Sequence, residues 1–190
     1  MTHLGTVPLE TDRLILRRFV ETDVEDMFNN WCNNSEVTKY LTWPTHSDIA
    51  VTQGFMKTRL DNYAKENFYS WAMELKVTGH VIGTIAAVNQ REDIQSVTIG
   101  YAMGRAWWNR GYMSEALRAV IRFFFEECGM NRVEAQHDPR NPGSGRVMQK
   151  AGMIYEGTLC QAGMNNQGIC DEVCYAILAN DYNKNKGESS

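Results

Sequence analysis

Between Phe68 and Met103 the chain writes three strand patterns in succession, Phe68–Leu75, Val81–Asn89 and Gln95–Met103, with turns near Thr78-Gly79 and Arg91–Asp93. Connections this short join neighbouring strands antiparallel, so a hairpin sheet is the first constraint on the fold. The period then changes. From Ser114 to Cys128 the apolar residues Leu117, Val120, Ile121 and Phe124 recur at helical spacing, and Gly129 is a natural stop. A strand at Arg132–His137 follows, then a helix over Pro142–Ala151 ending at Gly152, and strands near Ile154–Leu159 and Ile169–Leu178. Upstream, Thr11–Phe19 reads as a strand. Thr22-Asp23-Val24-Glu25 has capping-box form before a helix marked by Val24, Met27, Phe28 and Trp31. A second helix starts near Ser47, with Ile49, Met56, Leu60 and Tyr63 on one side, and Tyr40–Pro44 is an aromatic loop between the two. This order predicts an α+β fold: one mixed, mostly antiparallel sheet with helices on both faces.

Bulk properties narrow the function. At 190 residues the chain suits one domain, taken as 1–182, and 183–190 (NKNKGESS) reads as a flexible tail. A net charge of −4 argues against nucleic acid as the main partner, because phosphate-backbone binding needs a basic face. The densest apolar run, Ala119–Phe125, is broken by Arg122, so neither a membrane span nor a secretion signal is expected. Five cysteines without CxxC spacing read as free thiols of a cytoplasmic protein, and no metal site is expected.

Two loop-to-helix segments carry chemistry. In Gly104–Glu115 (GRAWWNRGYMSE), a strand gives way to a long helix whose first amides point outward unpaired. With Gly111 allowing close backbone approach and Arg110 and Arg105 adding charge, this suits a phosphate or pyrophosphate; the plain alternative is an ordinary helix start. In Asn141–Met153 (NPGSGRVMQKAGM), Asn141 and Pro142 stand in the favoured order for an N-cap and first-turn proline. Asn141 either caps that helix or offers its amide to a ligand, and Ser144 either sits inertly in the first turn or projects its hydroxyl into the same cleft.

Together these segments resemble the GNAT acetyltransferase superfamily, in particular its ribosomal-protein N-terminal acetyltransferase branch. The resemblance rests on Ile99-Gly100-Tyr101, on Trp107–Ala116, and on Asn141, Ser144, Val147, Met148, Lys150 and Gly152. Leu9–Leu14, Tyr40–Trp43, Glu156-Gly157 and Asp171 with Tyr175 extend it over nearly the whole chain.

The resemblance implies a sheet splayed at its centre, between the strands at Gln95–Met103 and Arg132–His137, with acetyl-CoA lying in the gap like an added strand. Tyr101 and Met103 would bind the cofactor arm through their backbones. Trp108, Asn109, Arg110, Gly111, Tyr112, Met113 and Ser114 would take the pyrophosphate, and Asn141 would bond the arm. Ser144 would protonate the departing thiolate after direct attack by an amine. Trp43 and Tyr40 would wall the acceptor pocket, while Trp31 belongs to the core. The acceptor is a small-molecule amine or a protein N-terminus, and the protein a monomer or homodimer. The family's usual bases are missing: Thr98, Met148 and Gly163 stand where relatives carry Glu, Tyr and Glu, which leaves His137 and Asp171 as substitutes. An α-amine, ordinarily titrating about 2.5 units below a lysine side chain, needs less help from a base. Two rival readings are a non-catalytic acyl-CoA-binding module and an antibiotic or polyamine acetyltransferase.

Overall fold

The computed structural model describes residues 1–187, with side chains through Lys184. One eight-stranded sheet runs in the order β1-β2-β3-β4-β5-β6-β8-β7. Its strands are β1 (Leu9–Glu10), β2 (Leu14–Arg17), β3 (Ser70–Leu75), β4 (Val81–Arg91), β5 (Ser96–Met103), β6 (Arg132–His137), β7 (Ile154–Asn165) and β8 (Gly168–Leu178). The helices are α1 (Val24–Met27), α2 (Ser35–Thr38), α3 (Ile49–Asn62), α4 (Tyr112–Glu126), α5 (Pro142–Lys150) and α6 (Ala179–Gly187). Every strand pairing is antiparallel except β5 with β6. The expected α+β architecture, a mixed and mostly antiparallel sheet with helices on both faces, is what forms.

Residue parity along β5 assigns the two faces. Val97, Ile99 and Met103 join the core beneath α4, with Leu117, Val120, Ile121 and Phe124. Ala102 faces the opposite layer, where Met27 from α1, Trp31 from the turn that follows it and Met56 from α3 pack. Trp31 is fully buried, as its place on the apolar stripe required. Phe123 and Phe124 meet Tyr69 and Trp71 edge-on, with ring centroids 5.0 to 6.1 Å apart. These four rings seat α4 on the sheet.

The parallel pair is short. It comprises Ser96–Arg132, Val97–Val133 and Thr98–Glu134, and then the two strands part. The cause lies next door: β4 shifts register between Ala87 and Asn89, opposite Ile99 and Thr98. A bulge bends and twists its strand, and here it does so at the level where β5 leaves β6.

Several local expectations are corrected. The opening strand is split into β1 and β2. The Thr22–Glu25 capping box gives way to Asp23, which accepts from the Val20 amide and both outer guanidinium nitrogens of Arg17. Helix α1 continues as a wide turn over Phe28–Cys32, and α2 was not anticipated. Asp48 rather than Ser47 caps α3, and Ile49 is exposed. Strand β7 runs on to Asn165. The tail expected from 183 continues α6 as far as Gly187, and 188–190 lie outside the described residues. Among the described residues no helix is long and apolar enough to cross a membrane.

Candidate active site

The divergence of β5 from β6 leaves a groove edged by backbone. The Gly104 amide donates to the Ile82 carbonyl, so in the antiparallel β4–β5 ladder Ala102 and Gly100 are the residues bonded to β4. Tyr101 and Met103 therefore turn their amides and carbonyls the other way, toward β6, where pairing has ceased. Two amides and the Tyr101 carbonyl line this edge. The Met103 carbonyl is already taken by the Trp108 indole Nε1 at 2.7 Å, which corrects half of the role expected for Met103.

The N-terminus of α4 closes one end of the groove. Gly111 precedes the helix at φ 82 and Asn109 sits at φ 60, so the loop twice enters the left-handed region, which a glycine tolerates and an asparagine accepts more readily than most residues. The Glu115 amide bonds back to the Gly111 carbonyl, and the amides of Tyr112, Met113 and Ser114 precede that first helical bond. The side chains of Met113 and Ser114 are buried, so only their backbones are left to line the groove. Trp108 donates its amide to Arg105 and its indole to Met103, so it braces the loop rather than offering a donor. Arg105 is engaged with Glu36, away from the cradle. Arg110 is exposed, and its carbonyl accepts from Arg13.

Arg13 is the residue that sequence reasoning missed. Its Nε and NH2 reach the Glu115 carboxylate at 2.7 and 2.6 Å, its amide and the Thr11 hydroxyl bond the same group, and its guanidinium lies 4.3 Å over the Tyr112 ring. Burial works against charge on Glu115, but the Thr11 hydroxyl and the Arg13 amide and guanidinium outweigh it and hold the carboxyl below its ordinary range. A carboxylate within the first turn would oppose a bound phosphate; Arg13 neutralises it and pins β2 to the loop. The Leu9–Leu14 opening and Glu115 were both visible in the sequence, but their spatial pairing was not.

The other end of the groove belongs to α5. Arg140 forks onto Asp138, Asn165 bonds the same carboxylate, and the Asn141 amide reaches the Asp138 carbonyl, which fixes the turn before the helix. The Asn141 side chain makes no capping bond, so the expected N-cap role is not taken up. Ser144 Oγ lies 2.9 Å from the Tyr101 hydroxyl, and the same phenol bonds the Ser144 carbonyl at 3.1 Å. Burial raises the Tyr101 pKa, with the bond to Ser144 opposing, so the phenol stays protonated at neutral pH. Tyr101 and Ser144 thus meet across the opening, one from each side. His137 packs beneath α5: its Nδ1 donates to the Asp138 carbonyl, and a side chain at Gly145 would meet Nε2 at 2.6 Å. Its ring is held by the helix backbone, not offered to the acceptor face.

The face expected to take the acceptor is built from distant segments. Trp43 packs on His46 and Phe55 at 5.5 and 6.2 Å, and Tyr40 lies beneath Arg140 at 5.8 Å. At the tip of the β7–β8 hairpin, Asn166 donates its side-chain amide to the carbonyls of Thr38 and Trp43 and its backbone amide to Leu41. A cleft of about 390 Å³ opens beside this junction, lined by Asp138, Arg140, Gln161, Cys170 and Asp171. Asp171 accepts from the Gln161 amide. A side chain at Gly163 would strike Glu172 at 2.8 Å, so a carboxylate missing at 163 is present from the facing strand. Glu134 accepts from Thr98, the other place where a carboxylate was sought. Among the described residues no group of three or more His, Cys, Asp or Glu side chains is arranged to hold a metal.

A splayed parallel pair, a helix N-terminus at its mouth and a hydroxyl at its far side are thus brought to one groove. The family description of the Acetyltransferase (GNAT) domain matches residues 13–154, and the chain belongs to that family. The chain is 31% identical over 170 residues to the Bacillus subtilis "Uncharacterized N-acetyltransferase YoaA", covering 90% of this chain and 96% of that protein. Its identity to the Escherichia coli "[Ribosomal protein uS5]-alanine N-acetyltransferase" is 27%, over 82% of each chain. A solved GNAT acetyltransferase from Bacillus anthracis superposes with a TM-score of 0.81 at 26% identity, over 92% of this chain and 99% of that one. The protein is a GNAT N-acetyltransferase.

Proposed function

We propose that the protein transfers the acetyl group of acetyl-CoA directly to an α-amine, that of a small molecule or of a protein N-terminus. The observation that carries this reading is the convergence on one groove of the unpaired Tyr101 and Met103 amides, the start of α4 and the Ser144 hydroxyl. The pantetheine arm pairs with the β5 edge, its pyrophosphate rests on the amides from Gly111 to Ser114, and the Asn141 amide bonds the arm. The amine lone pair attacks the thioester carbonyl, and a β5 amide stabilises the oxyanion. As the tetrahedral intermediate collapses the C–S bond breaks, and the thiolate takes a proton through Ser144, whose oxygen is held by Tyr101. The ammonium proton of the new amide nitrogen leaves to water on the acceptor face.

An α-amine has a pKa of about 7.7–8.0 against about 10.4 for a lysine side chain, a difference of roughly 3.4 kcal/mol in the cost of the reactive form. That fits a site where Thr98 and Gly163 stand in place of the family's carboxylates and where Glu134, beside Thr98, is already held by Arg132. The relative named as a ribosomal protein uS5 alanine N-acetyltransferase also supports this choice. Release of CoA thiol should be followed with acetyl-CoA and paired peptides offering either a free α-amine or only a lysine side chain. The α-amine peptides are expected to react faster at pH 7. Faster reaction of the lysine peptides sinks the α-amine assignment, and binding of acetyl-CoA without turnover of any amine returns the chain to a binding module.

A further inference from the structure

Arg59 lies on the acceptor side of the sheet without a counter-charge. It projects from α3 under the first helices, donates to Thr84 Oγ1 at 3.0 Å, and sits between two rings, 4.6 Å from the centroid of Phe19 and 5.0 Å from that of Phe55. No carboxylate among the described residues stands within salt-bridge distance. The groups that do approach it supply no negative charge. Burial pushes the Cys32 thiol up to about 12, and Tyr63, also raised by burial, accepts from the Phe19 amide and donates to the Ser70 carbonyl. A half-buried guanidinium with one neutral oxygen partner and two aromatic faces leaves most of its five donors open on its solvent side. Burial correspondingly draws its pKa below the ordinary arginine value, while the group remains a cation. A planar fork of donors left open beside aromatic faces is a ready partner for a carboxylate.

The position identifies which anion. Phe55 also touches Trp43, so the niche is continuous with the aromatic wall of the acceptor side. Thr84 pairs with Ala102, the residue between Tyr101 and Met103. The guanidinium therefore stands over β4, and the groove edge lies on the far side of β5. Two strand spacings separate them, about 10 Å. A polyamine offers this guanidinium only like charge, whereas a peptide of two or three residues, about 7–10 Å at 3.5 Å per residue, reaches it once a carboxylate contact of about 3 Å is added.

We propose that Arg59 binds a carboxylate carried by the acceptor, placed two or three residues from the amine that is acetylated. This rests on the acetyltransferase reading and specifies its substrate: a short peptide held by its C-terminus, or a protein N-terminus with an acidic side chain at the second or third position.

The test uses purified full-length protein, first checked for acetyl-CoA binding by calorimetry; failure there defeats the acetyltransferase reading itself. CoA release is then measured for di- and tripeptides with a free C-terminus against their C-terminal amides. A second arm compares longer peptides carrying Asp or Asn at positions two and three. The wild type is expected to favour the carboxylate member of one arm by about 10- to 100-fold in kcat/KM, the range for a charged hydrogen-bonded pair. Arg59→Gln should bring that ratio near one while the KM for acetyl-CoA holds, and Arg59→Lys, which keeps the charge and loses the fork, should retain a few-fold preference. Calorimetry of the same peptides in N-acetylated form against CoA-loaded protein repeats the comparison without turnover. Equal treatment of acids and amides by the wild type in both arms, or a preference that survives Arg59→Gln, overturns the assignment.

Discussion

The two sides of the sheet are built by different means. On the side proposed for the cofactor the free donors are amides of Tyr101, Met103 and the first turn of α4, held by a bulge, a helix start and a strand divergence. On the acceptor side the parts are side chains from α3, β4, the Tyr40–Trp43 loop and the β7–β8 hairpin. Backbone donors are available to any sequence that keeps the geometry, while a side-chain wall is remade by each substitution. One side can therefore be shared across a family at modest identity while the other decides the acceptor.

The comparison breaks most sharply at the point where the two sides touch, the Tyr101–Ser144 pair. Ser144→Ala should lower kcat by about 10²–10³, within the range for loss of a positioned proton donor, with little change in the KM for either substrate. Tyr101→Phe removes only the group that fixes Ser144 Oγ and should cost less, about tenfold. If Ser144→Ala raises the KM for acetyl-CoA and leaves kcat intact, the hydroxyl is a binding group and the chemistry lies elsewhere.

The cofactor side is tested by Arg13→Ala, which leaves Glu115 facing the phosphate cradle without its partner. The KM for acetyl-CoA should rise about tenfold and that for the amine should hold. The same pair carries a pH signature. The folded Glu115 carboxyl lies below its ordinary value of 4.5, so the stability it confers is fully present above that value and is lost as pH falls through the lower folded one. Glu115→Gln should accordingly melt below the wild type at pH 7, and the gap should close as the pH is taken toward 3. A gap that stays constant across that range means the carboxylate charge contributes nothing.

What was legible in the sequence follows the same division. The hairpin sheet, the long helix and its stop at Gly129, and the Asn-Pro start of α5 all leave local signals in period and punctuation, and each formed close to its expected bounds. Gly111 and the motif around it marked the loop whose left-handed turn leads into α4. Local reasoning failed where one residue answers another far along the chain: Arg13 with Glu115, Arg59 with Thr84, Asn166 with Thr38 and Trp43, and Glu172 in the space left by Gly163. Trp108 shows the same limit at short range, since no pattern reveals that its indole is tied to Met103.

Trp43 sharpens the acceptor side without reaching the cofactor. Its ring spans His46 and Phe55, and Phe55 in turn flanks Arg59. Trp43→Ala should raise the acceptor KM by about five- to tenfold, combining lost wall area with a looser niche around the guanidinium. Steady-state measurements varying each substrate separately decide it, and equal movement of both KM values counts against a substrate-facing role.

The smallest effect expected is at Asn166, which joins the hairpin to the aromatic loop through two side-chain bonds of 2.8 Å and one backbone bond of 3.1 Å. Asn166→Ala removes the first two and spares the third, so the hairpin should stay docked but hold the loop less firmly. At about 1 kcal/mol per bond less compensation from water, the acceptor KM should rise two- to fivefold. Amides near Leu41 and Trp43 should exchange with solvent faster, while those of α4 and β5 keep their wild-type protection. Faster exchange on both faces would mean that the hairpin braces the whole sheet, and the separation between the two sides would then be one of geometry alone, not of energy.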